Sequence, residues 1–343
     1  MDTVLVTGVT GRIGANLAVA LLNRGYKVRG LIMPGDPKAE KVKGMDIEKV
    51  VCDLRDTDGM VAACKGVDAV MHLAAAMGQP AGMSDRDYFD VNVTGTWNTI
   101  YGASKSAPNL KRFVFASTDF IYGSRRVQYL PIDENHPKLT QYPYGMVKIL
   151  GEEIVNHFRR QTGMPTVITR FGTVMAGAEL LGFFTARTVC GILKEAANDP
   201  MAGSLYVKGV TEPWKIVEKA VEGNLDMLFI PRNLEGAPWI HNITDVRDTV
   251  QGAILALEKE EAIGETFNIH DSTGTRFDDA VLHLHERTGQ PYAEARIPNY
   301  LAFYLDISKA RRLLGYHPRY HGIAQLDQAL DAAAGKETGV IPT

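Results

Sequence analysis

The chain has 343 residues, of which 45% are hydrophobic and 22% charged, and its formal net charge is −3. This length can bury a large core and exceeds the usual size of one simple domain. The near-neutral charge offers no global attraction for nucleic acid or an anionic membrane, so neither is an expected partner. The sequence shows no run long enough for a membrane span, and its first residues enter a strand without the composition of a signal peptide.

The cysteines indicate a compartment. Cys52, Cys64 and Cys190 are an odd number at scattered spacings, which favours buried free thiols over disulfides. Free thiols persist in reducing surroundings, so we expect a cytoplasmic protein.

In chain order, short apolar runs alternate with helical patterns through the first half, which is typical of parallel βαβ units. After Phe171 this rhythm breaks, and HNITDVRD (241–248) is predicted to return to the sheet. The predicted strands are 4–7, 27–32, 48–51, 68–74, 112–117 and 166–171, and the predicted helices are 13–24, 84–106 and 142–161.

This order predicts an α/β fold, a doubly wound parallel sheet of the Rossmann type with a smaller C-terminal substrate-binding lobe. We assign residues 1–171 plus about 241–274 to a dinucleotide-binding domain. Residues 172–240 plus about 275–334 form the substrate-binding lobe, and 335–343 form a tail. A ligand would lie between the two, at the carboxyl ends of the strands.

A glycine-rich turn, TGVTGRIG (7–14), follows the first strand and opens the first helix. Gly8 permits the tight turn, Gly11 lets the backbone approach a pyrophosphate, and Gly14 allows helix and strand to pack closely. The turn lacks the GK[ST] ending of a P-loop, which disfavours nucleotide hydrolysis. The setting between strand and helix therefore predicts a dinucleotide site.

Further motifs follow this turn: Asp53-Leu54, HLAA (72–75), NVTGT (92–96), STDFIYG (117–123), YGMVK (144–148) and SKARRLLGY (308–316). In this order the chain resembles the extended short-chain dehydrogenases, and more closely the NAD-dependent epimerase/dehydratase family, from residue 3 to about 318. The resemblance implies a homodimeric enzyme that uses NAD, with NADP not excluded, on a small polar substrate. The residues it implies for cofactor binding are Gly8, Gly11, Arg12, Ile13, Gly14, Asp53, Leu54, Leu73, Ala74, Ala75, Asn92 and Lys148. The adenine is expected near Asp53-Leu54, and Asn92 is expected to bond backbone or water rather than substrate.

Two tyrosine–lysine pairs have the spacing of the family's catalytic pair, YGASK (101–105) and YGMVK (144–148). Tyr144 and Lys148 share one face of the helix after the fifth strand, at the ligand-binding edge of the sheet. Tyr101 and Lys105 come late in the previous helix, so we expect Tyr101 to pack and Lys105 to be solvated. Position in the fold therefore selects Tyr144.

The chemistry that the resemblance implies is proton removal from an alcohol by Tyr144. A free tyrosine has a pKa of about 10, and a lysine ammonium with a positive nicotinamide ring would lower it. By resemblance, Lys148 also holds the nicotinamide ribose and Thr118 bonds the reacting oxygen.

The sequence departs from the family at the ribose site. At the end of the second strand stand Ile32 and Met33, where NAD enzymes often have an acidic residue and NADP enzymes an arginine. Asp36 is close enough to meet a ribose hydroxyl, while Arg12 or Lys38 would suit a phosphate. We favour NAD, because no basic residue occupies the usual position.

Departures also occur among the implied substrate residues, Thr118, Asp119, Phe120, Thr173 and Arg296. Phe120 replaces the glutamate of the dehydratases, which disfavours elimination and leaves Asp119 as a structural or positioning carboxylate. Arg296, ten residues before Asp306, stands where epimerases hold a diphosphate. Thr173 replaces an expected asparagine, and Pro238-Trp239 replaces a second arginine.

Three functions are compatible with these residues. The first is an epimerase of a sugar, most directly a nucleotide sugar, that oxidises a hydroxyl transiently. The second is an NAD(P)-dependent dehydrogenase or reductase of a free sugar, sugar acid or other polar carbonyl. The third is a non-catalytic dinucleotide sensor, which retention of the Tyr144–Lys148 pair disfavours. A metal site is not expected, because His283 and His285 face different ways on a helix.

Overall fold

The computed structural model describes residues 2–78, 82–123, 127–200, 202–271 and 273–342. Its strands are β1 (Thr3–Thr7), β2 (Lys27–Ile32), β3 (Glu48–Val51), β4 (Ala69–His72), β5 (Arg112–Thr118), β6 (Thr166–Phe171), β7 (Thr173–Met175), β8 (Leu228–Arg232), β9 (Ile240–His241), β10 (Ile243–Asp245), β11 (Thr266–Ile269), β12 (Thr275–Arg276), β13 (Tyr292–Arg296) and β14 (Ala302–Phe303). Its α-helices are α1 (Arg12–Leu22), α2 (Thr57–Ala63), α3 (Asp85–Phe89), α4 (Gly95–Ser106), α5 (Pro143–Thr162), α6 (Ala186–Ala196), α7 (Trp214–Ala220), α8 (Val246–Glu258), α9 (Phe277–Thr288), α10 (Ser308–Leu314) and α11 (Ile323–Ala333).

Seven parallel strands form the main sheet, in the order β11-β6-β5-β4-β1-β2-β3. The chain starts at the centre, runs to the β3 edge, and returns through β4 to the β11 edge. This confirms the doubly wound Rossmann-type fold. The reversal of strand order beside β1 places a crevice at the carboxyl ends of β1 and β4, where such folds bind ligands.

The central strands of the main sheet are buried on both faces. Along β1, Val4 and Val6 belong to one apolar cluster and Leu5 to another, because successive side chains of a strand point to opposite faces. A third cluster gathers side chains from the second half of the chain, including Phe184, Phe229 and Trp239. Tyr122 and Ile132 also join it, so part of the first half packs with the second; the boundaries of the two domains stay a proposal.

The expectation that HNITDVRD returns to the main sheet is wrong. β9 pairs with β12 and β14, and β10 pairs with β7, each in a small separate sheet. The Asp245 side chain accepts the Arg247 N–H and caps α8, so the rest of this segment is helical. The seventh strand is β11, which pairs with β6.

The predicted helix at 84–106 is divided by a π-helical turn at Asp90–Thr94, between α3 and α4. Turns of this kind occur mostly as single bulges, often at functional sites. Within the described ranges, every helix falls short of the length or the apolar character that crossing a bilayer requires.

Candidate active site

The glycine turn provides no side-chain cap, among the described residues, for the backbone N–H groups at the start of α1. Gly8 has a φ of +69°, and a Cβ there would lie 2.8 Å from the Ala74 Cα. A Cβ on Gly14 would overlap the Gly8 carbonyl oxygen. Gly11 is the N-cap of α1, and no side chain of the described residues caps the helix there. Backbone N–H groups at an uncapped helix start suit a pyrophosphate, so the turn fits a dinucleotide.

The segment after β4 is fixed against this turn by one hydroxyl. Thr7 Oγ1 accepts the N–H groups of Leu73 (3.2 Å) and Ala74 (3.1 Å), and lies 2.8 Å from His72 Nδ1. His72 is buried, and burial lowers its pKa to about 3, so its ring is neutral. The structure thus brings Leu73, Ala74 and the following Ala75 beside the glycine turn.

At the β3 side of the crevice, Leu54 is buried and packs under α4, where a Cβ on Gly95 would lie 2.8 Å from the Leu54 Cβ. The Asp53 carboxylate forms an ion pair of 2.7 Å with Arg55. Asn92 is buried in the π-helical turn, where it bonds the backbone of Ala76 and Tyr88. The expectation that Asn92 bonds backbone is confirmed.

The Arg12 side chain does not point to the cofactor site, where the sequence predicted that it would suit a phosphate. Its guanidinium donates to the Val174 carbonyl and forms an ion pair of 2.7 Å with Glu179, both in the second half of the chain. The guanidinium is therefore bonded to the second half of the chain rather than directed at a cofactor phosphate. The backbone N–H of Arg12, in the first turn of α1, is the group that suits a pyrophosphate. Asp36 instead faces the glycine turn, because it accepts the Thr10 hydroxyl.

The Tyr144–Lys148 pair lies where α5 packs closely on β5. A side chain at Gly151 would overlap the Phe115 ring, so this glycine permits the close approach. Lys148 is 4% exposed, and its Nζ donates to the Ala116 carbonyl at 2.8 Å. The same Nζ lies 5.8 Å from the centre of the Tyr144 ring.

Burial controls the charges of this pair. It lowers the pKa of Lys148 to about 8, against an opposing effect of Glu152. It raises the pKa of Tyr144, with smaller contributions from Tyr88 and Asp119. The protein alone therefore acts against the expected lowering of the Tyr144 pKa, which leaves the positive nicotinamide ring as the main group that would favour phenolate.

The second tyrosine–lysine pair has an ordinary surface setting. Tyr101 stacks on Trp97 with ring centres 6.5 Å apart, and Lys105 is exposed, with its Nζ 5.3 Å from the Tyr101 ring centre. Tyr101 packs and Lys105 is solvated, as predicted.

Thr118, Asp119 and Phe120 follow one another at the end of β5, beside Tyr144. Thr118 Oγ1 donates to Asp119 Oδ1 at 3.3 Å and accepts the Phe120 N–H at 3.3 Å. Asp119 is 2% exposed, and burial raises its pKa to about 7. Phe120 is 41% exposed and meets the Tyr144 ring edge-on, with centres 5.9 Å apart.

The two remaining substrate residues lie in the second half of the chain. Arg296 is exposed on β13 and donates to the Leu234 carbonyl at 3.2 Å. Thr173 begins β7 and faces Ile243 of β10 in the register. In the described part of the chain neither residue is hydrogen-bonded to Thr118, Tyr144 or Lys148. Their roles in substrate binding stay predictions.

Sequence reasoning missed Tyr88 and His270. Both are buried, and both have a polar atom without a hydrogen-bond partner among the described residues, the Tyr88 hydroxyl and His270 Nε2. Tyr88 precedes Asn92 by one helical turn, so the sequence spacing alone indicated that the two side chains share a helix face. His270 follows β11 directly, and its position was hidden because that strand was not predicted.

Comparison with known proteins gives consistent matches. The model of the NAD-dependent epimerase/dehydratase family matches residues 4–269. A short-chain dehydrogenase/reductase superfamily protein of Agrobacterium tumefaciens, crystallised with bound NAD, is 31% identical, with a TM-score of 0.80 over 97% of this chain and 98% of that one. A UDP-glucose 4-epimerase of Bacillus subtilis is 26% identical over 92% of each chain. A 3-beta-hydroxysteroid dehydrogenase of Mycolicibacterium neoaurum is 25% identical over 93% of this chain and 88% of that protein.

Proposed function

Because the chain belongs to the NAD-dependent epimerase/dehydratase family, we propose that it is an NAD-dependent epimerase of a sugar, with a nucleotide sugar as the substrate class. The observation that carries the proposal is the joint position of Tyr144, Lys148 and Thr118. Thr118 is the last residue of β5, and Tyr144 and Lys148 lie in the first turns of α5, where the Lys148 ammonium bonds the Ala116 carbonyl of that strand.

Bound NAD would supply reversible hydride transfer at the carbon that carries the reacting hydroxyl. The protein holds the pyrophosphate at the start of α1 through backbone N–H groups. Tyr144 takes the hydroxyl proton and later gives it back, as a general base and then a general acid. Thr118 hydrogen-bonds the reacting oxygen, and Lys148 holds the ribose next to it.

Phe120 limits what happens to the oxidised sugar. A phenyl ring cannot accept a proton, so the position from which dehydratases remove one is inert here. Its edge-on contact with Tyr144 and its 41% exposure support a role as an apolar surface next to the substrate. Return of the ketone to an alcohol is therefore the expected outcome. The name of the Bacillus subtilis relative, a UDP-glucose 4-epimerase, supports this reaction.

The second candidate is a dehydrogenase with exchangeable NAD, and one observation favours it. Where a second diphosphate arginine is expected, Trp239 is fully buried, and its indole donates to the Asn299 carbonyl at 3.1 Å. Arg296 is bonded to a backbone carbonyl. Weaker contacts to a diphosphate suit a substrate without one, and the name of the Mycolicibacterium neoaurum relative, a hydroxysteroid dehydrogenase, supports this alternative.

The homodimer and the cytoplasm belong to the same proposal. Trp97 on α4 and Met146 and Leu150 on α5 are 43%, 48% and 37% exposed. The two helices adjoin, because Trp97 and Phe158 have ring centres 5.1 Å apart. Exposed apolar side chains on adjoining helices suit a helix-to-helix dimer interface. The three cysteines are buried and free, which suits a reducing cytoplasm.

Native mass spectrometry of the gently purified protein tests the epimerase against the dehydrogenase. An epimerase regenerates its NAD in each cycle, so about one retained NAD per chain is expected. Gly14→Ala should lose the cofactor, because its Cβ would overlap the Gly8 carbonyl oxygen. Gly191→Ala in α6 is the matched control, because among the described residues a Cβ there would have no atom within 4 Å beyond its own stretch of helix. An empty site in the wild-type protein would favour the dehydrogenase over the epimerase.

A further inference from the structure

Asp119 lies at a junction that the reaction described above does not use. It follows β5, Gly172 follows β6, and His270 follows β11, and these three strands are neighbours in the sheet. A Cβ on Gly172 would lie 3.0 Å from Asp119 Oδ2 and would overlap the His270 ring. The missing side chain of Gly172 therefore lets the carboxyl of Asp119 and the imidazole of His270 approach the same point.

The surroundings of Asp119 offer no charge to balance a carboxylate. Within the described ranges no lysine or arginine forms an ion pair with it, and the Lys148 ammonium is bonded to the Ala116 carbonyl. His270 is fully buried, and burial lowers its pKa to about 3, so its ring is neutral. Tyr144 faces Asp119 from α5, and a negative Asp119 acts against its ionisation. An ionised Asp119 is thus costly both to itself and to Tyr144.

We propose that Asp119 is a positioning residue that works in its neutral form, directing the Thr118 hydroxyl at the reacting oxygen and sparing Tyr144 an opposing charge. This inference rests on the proposed function, because it takes Thr118 and Tyr144 as the groups that touch the substrate. It gives Asp119 a task without proton transfer to the substrate, which sets this chain apart from an elimination enzyme.

The hydrogen-bond inventory of Thr118 explains the effect. A threonine hydroxyl has one hydrogen and two lone pairs, and a carboxylate can only accept. When Asp119 is ionised, the Thr118 hydrogen is bound to Asp119 and cannot reach the substrate. When Asp119 is protonated, its O–H and the Phe120 N–H fill the two lone pairs, so the hydrogen of Thr118 is released for the reacting oxygen. Stabilisation of a developing alkoxide or ketone oxygen requires this second arrangement.

The balance between the two forms lies in the working range of pH. Burial raises the pKa of Asp119 to about 7, against smaller opposing effects of the Thr118 hydroxyl and nearby backbone N–H groups. The neutral form is therefore present below about pH 7 and is lost as the pH rises through that value. In an active enzyme, Asp119→Asn should remove a fall in kcat above neutral pH, because the amide stays neutral and can still donate to Thr118.

Two titrations that need no turnover test the inference. Carbon NMR of protein labelled at the aspartate carboxyl carbons should show one signal, absent from Asp119→Asn, that titrates near neutral pH. Ultraviolet difference titration of the NAD⁺-saturated protein against Tyr144→Phe follows the Tyr144 phenolate, whose midpoint should fall by about one pH unit in Asp119→Asn. Asp226→Asn, at an exposed aspartate, is the control and should leave the midpoint of the Tyr144 titration unchanged.

The proposal is overturned if the Asp119 signal titrates near the ordinary aspartate value of about 4. It is equally overturned if Asp119→Asn leaves the Tyr144 midpoint where it is in the wild type. Should the asparagine variant fail to fold, Asp119→Ser removes the same carboxyl with a smaller neutral group. Failure of the proposed function is a separate result, because a protein inactive on every sugar still gives both titrations.

Discussion

The end of α4 and the start of α5 carry the same Tyr-x-x-x-Lys spacing in different surroundings. Lys148 is 4% exposed and bonded to a strand-end carbonyl, whereas Lys105 is exposed above the ring of its own tyrosine. Tyr144 has Asp119, Tyr88 and Phe120 around it; Tyr101 has the flat face of Trp97. The spacing only places two side chains on one face of a helix, whereas the strand that precedes the helix determines what that face contacts.

The largest expected difference is in turnover. Tyr144→Phe removes the proton-transferring hydroxyl and should lower kcat by about a hundred- to ten-thousandfold. Tyr101→Phe removes a hydroxyl from a ring that stacks on Trp97, and it should leave kcat within about twofold, a span that corresponds to less than about 0.5 kcal/mol. Steady-state rates of both variants on one substrate make the measurement. Equal losses of kcat in the two variants would show that position in the fold does not distinguish the two tyrosine–lysine pairs.

A smaller effect is expected on stability, because the buried carboxyl of Asp119, beside Tyr144, has no ion-pair partner among the described residues. The folded-state pKa of Asp119 is raised above its ordinary value, to about 7. The loss of folding stability caused by ionising buried Asp119 is absent below about pH 4. It grows as the pH rises and is complete above about pH 7. Asp119→Asn should therefore raise the free energy of unfolding at pH 8 by roughly 2–4 kcal/mol relative to wild type, and hardly at all at pH 4.

Urea unfolding at the two pH values measures this difference. The exposed Asp226→Asn provides the control and should change neither value. A gain of equal size at both pH values would show that the asparagine improves packing and that the charge of Asp119 is not the cause.

The smallest effect concerns the two lysines. Lys148→Ala removes a buried ammonium that is proposed to hold the ribose, which should weaken NAD binding about ten- to hundredfold, or roughly 1.5–3 kcal/mol. Lys105→Ala removes an exposed contact with an aromatic ring, worth at most about 0.5–1 kcal/mol of folding stability, and should leave NAD affinity unchanged. Isothermal calorimetry on protein stripped of cofactor measures both. Weaker binding by Lys105→Ala would place α4 at the cofactor.

Local signals were sufficient for much of the fold and for the choice of tyrosine. The strands from β1 to β6 were predicted within two residues, because apolar runs and turn residues mark their ends. Features set by distant contacts were not predictable. Nothing near residue 12 shows that the Arg12 guanidinium meets Glu179, 167 positions away. The raised pKa of Tyr144 comes from burial, which is known only once the strands are assembled.

The β11 strand and His270 illustrate the same limit. The TFNI segment is four residues long and lies where the alternation of strands and helices breaks down, so it was not predicted as a strand, whereas HNITDVRD was predicted to return to the sheet. Pairing with β6 decides which one joins the main sheet, and that pairing depends on the complete chain. His270 and Asp119 meet at Gly172, because a Cβ there would approach both side chains, and this junction requires three strand ends that are far apart in sequence.

NMR of the reaction products tests the proposed epimerisation of a nucleotide sugar through Tyr144. UDP- and dTDP-hexoses and uronates are incubated with the wild type, Tyr144→Phe and Tyr101→Phe, while absorbance follows free NADH. We expect an inverted sugar without net NADH from the wild type and from Tyr101→Phe, and unchanged substrate from Tyr144→Phe. NADH that accumulates with free sugars or sugar acids, or a 4-keto-6-deoxy product, would contradict the account.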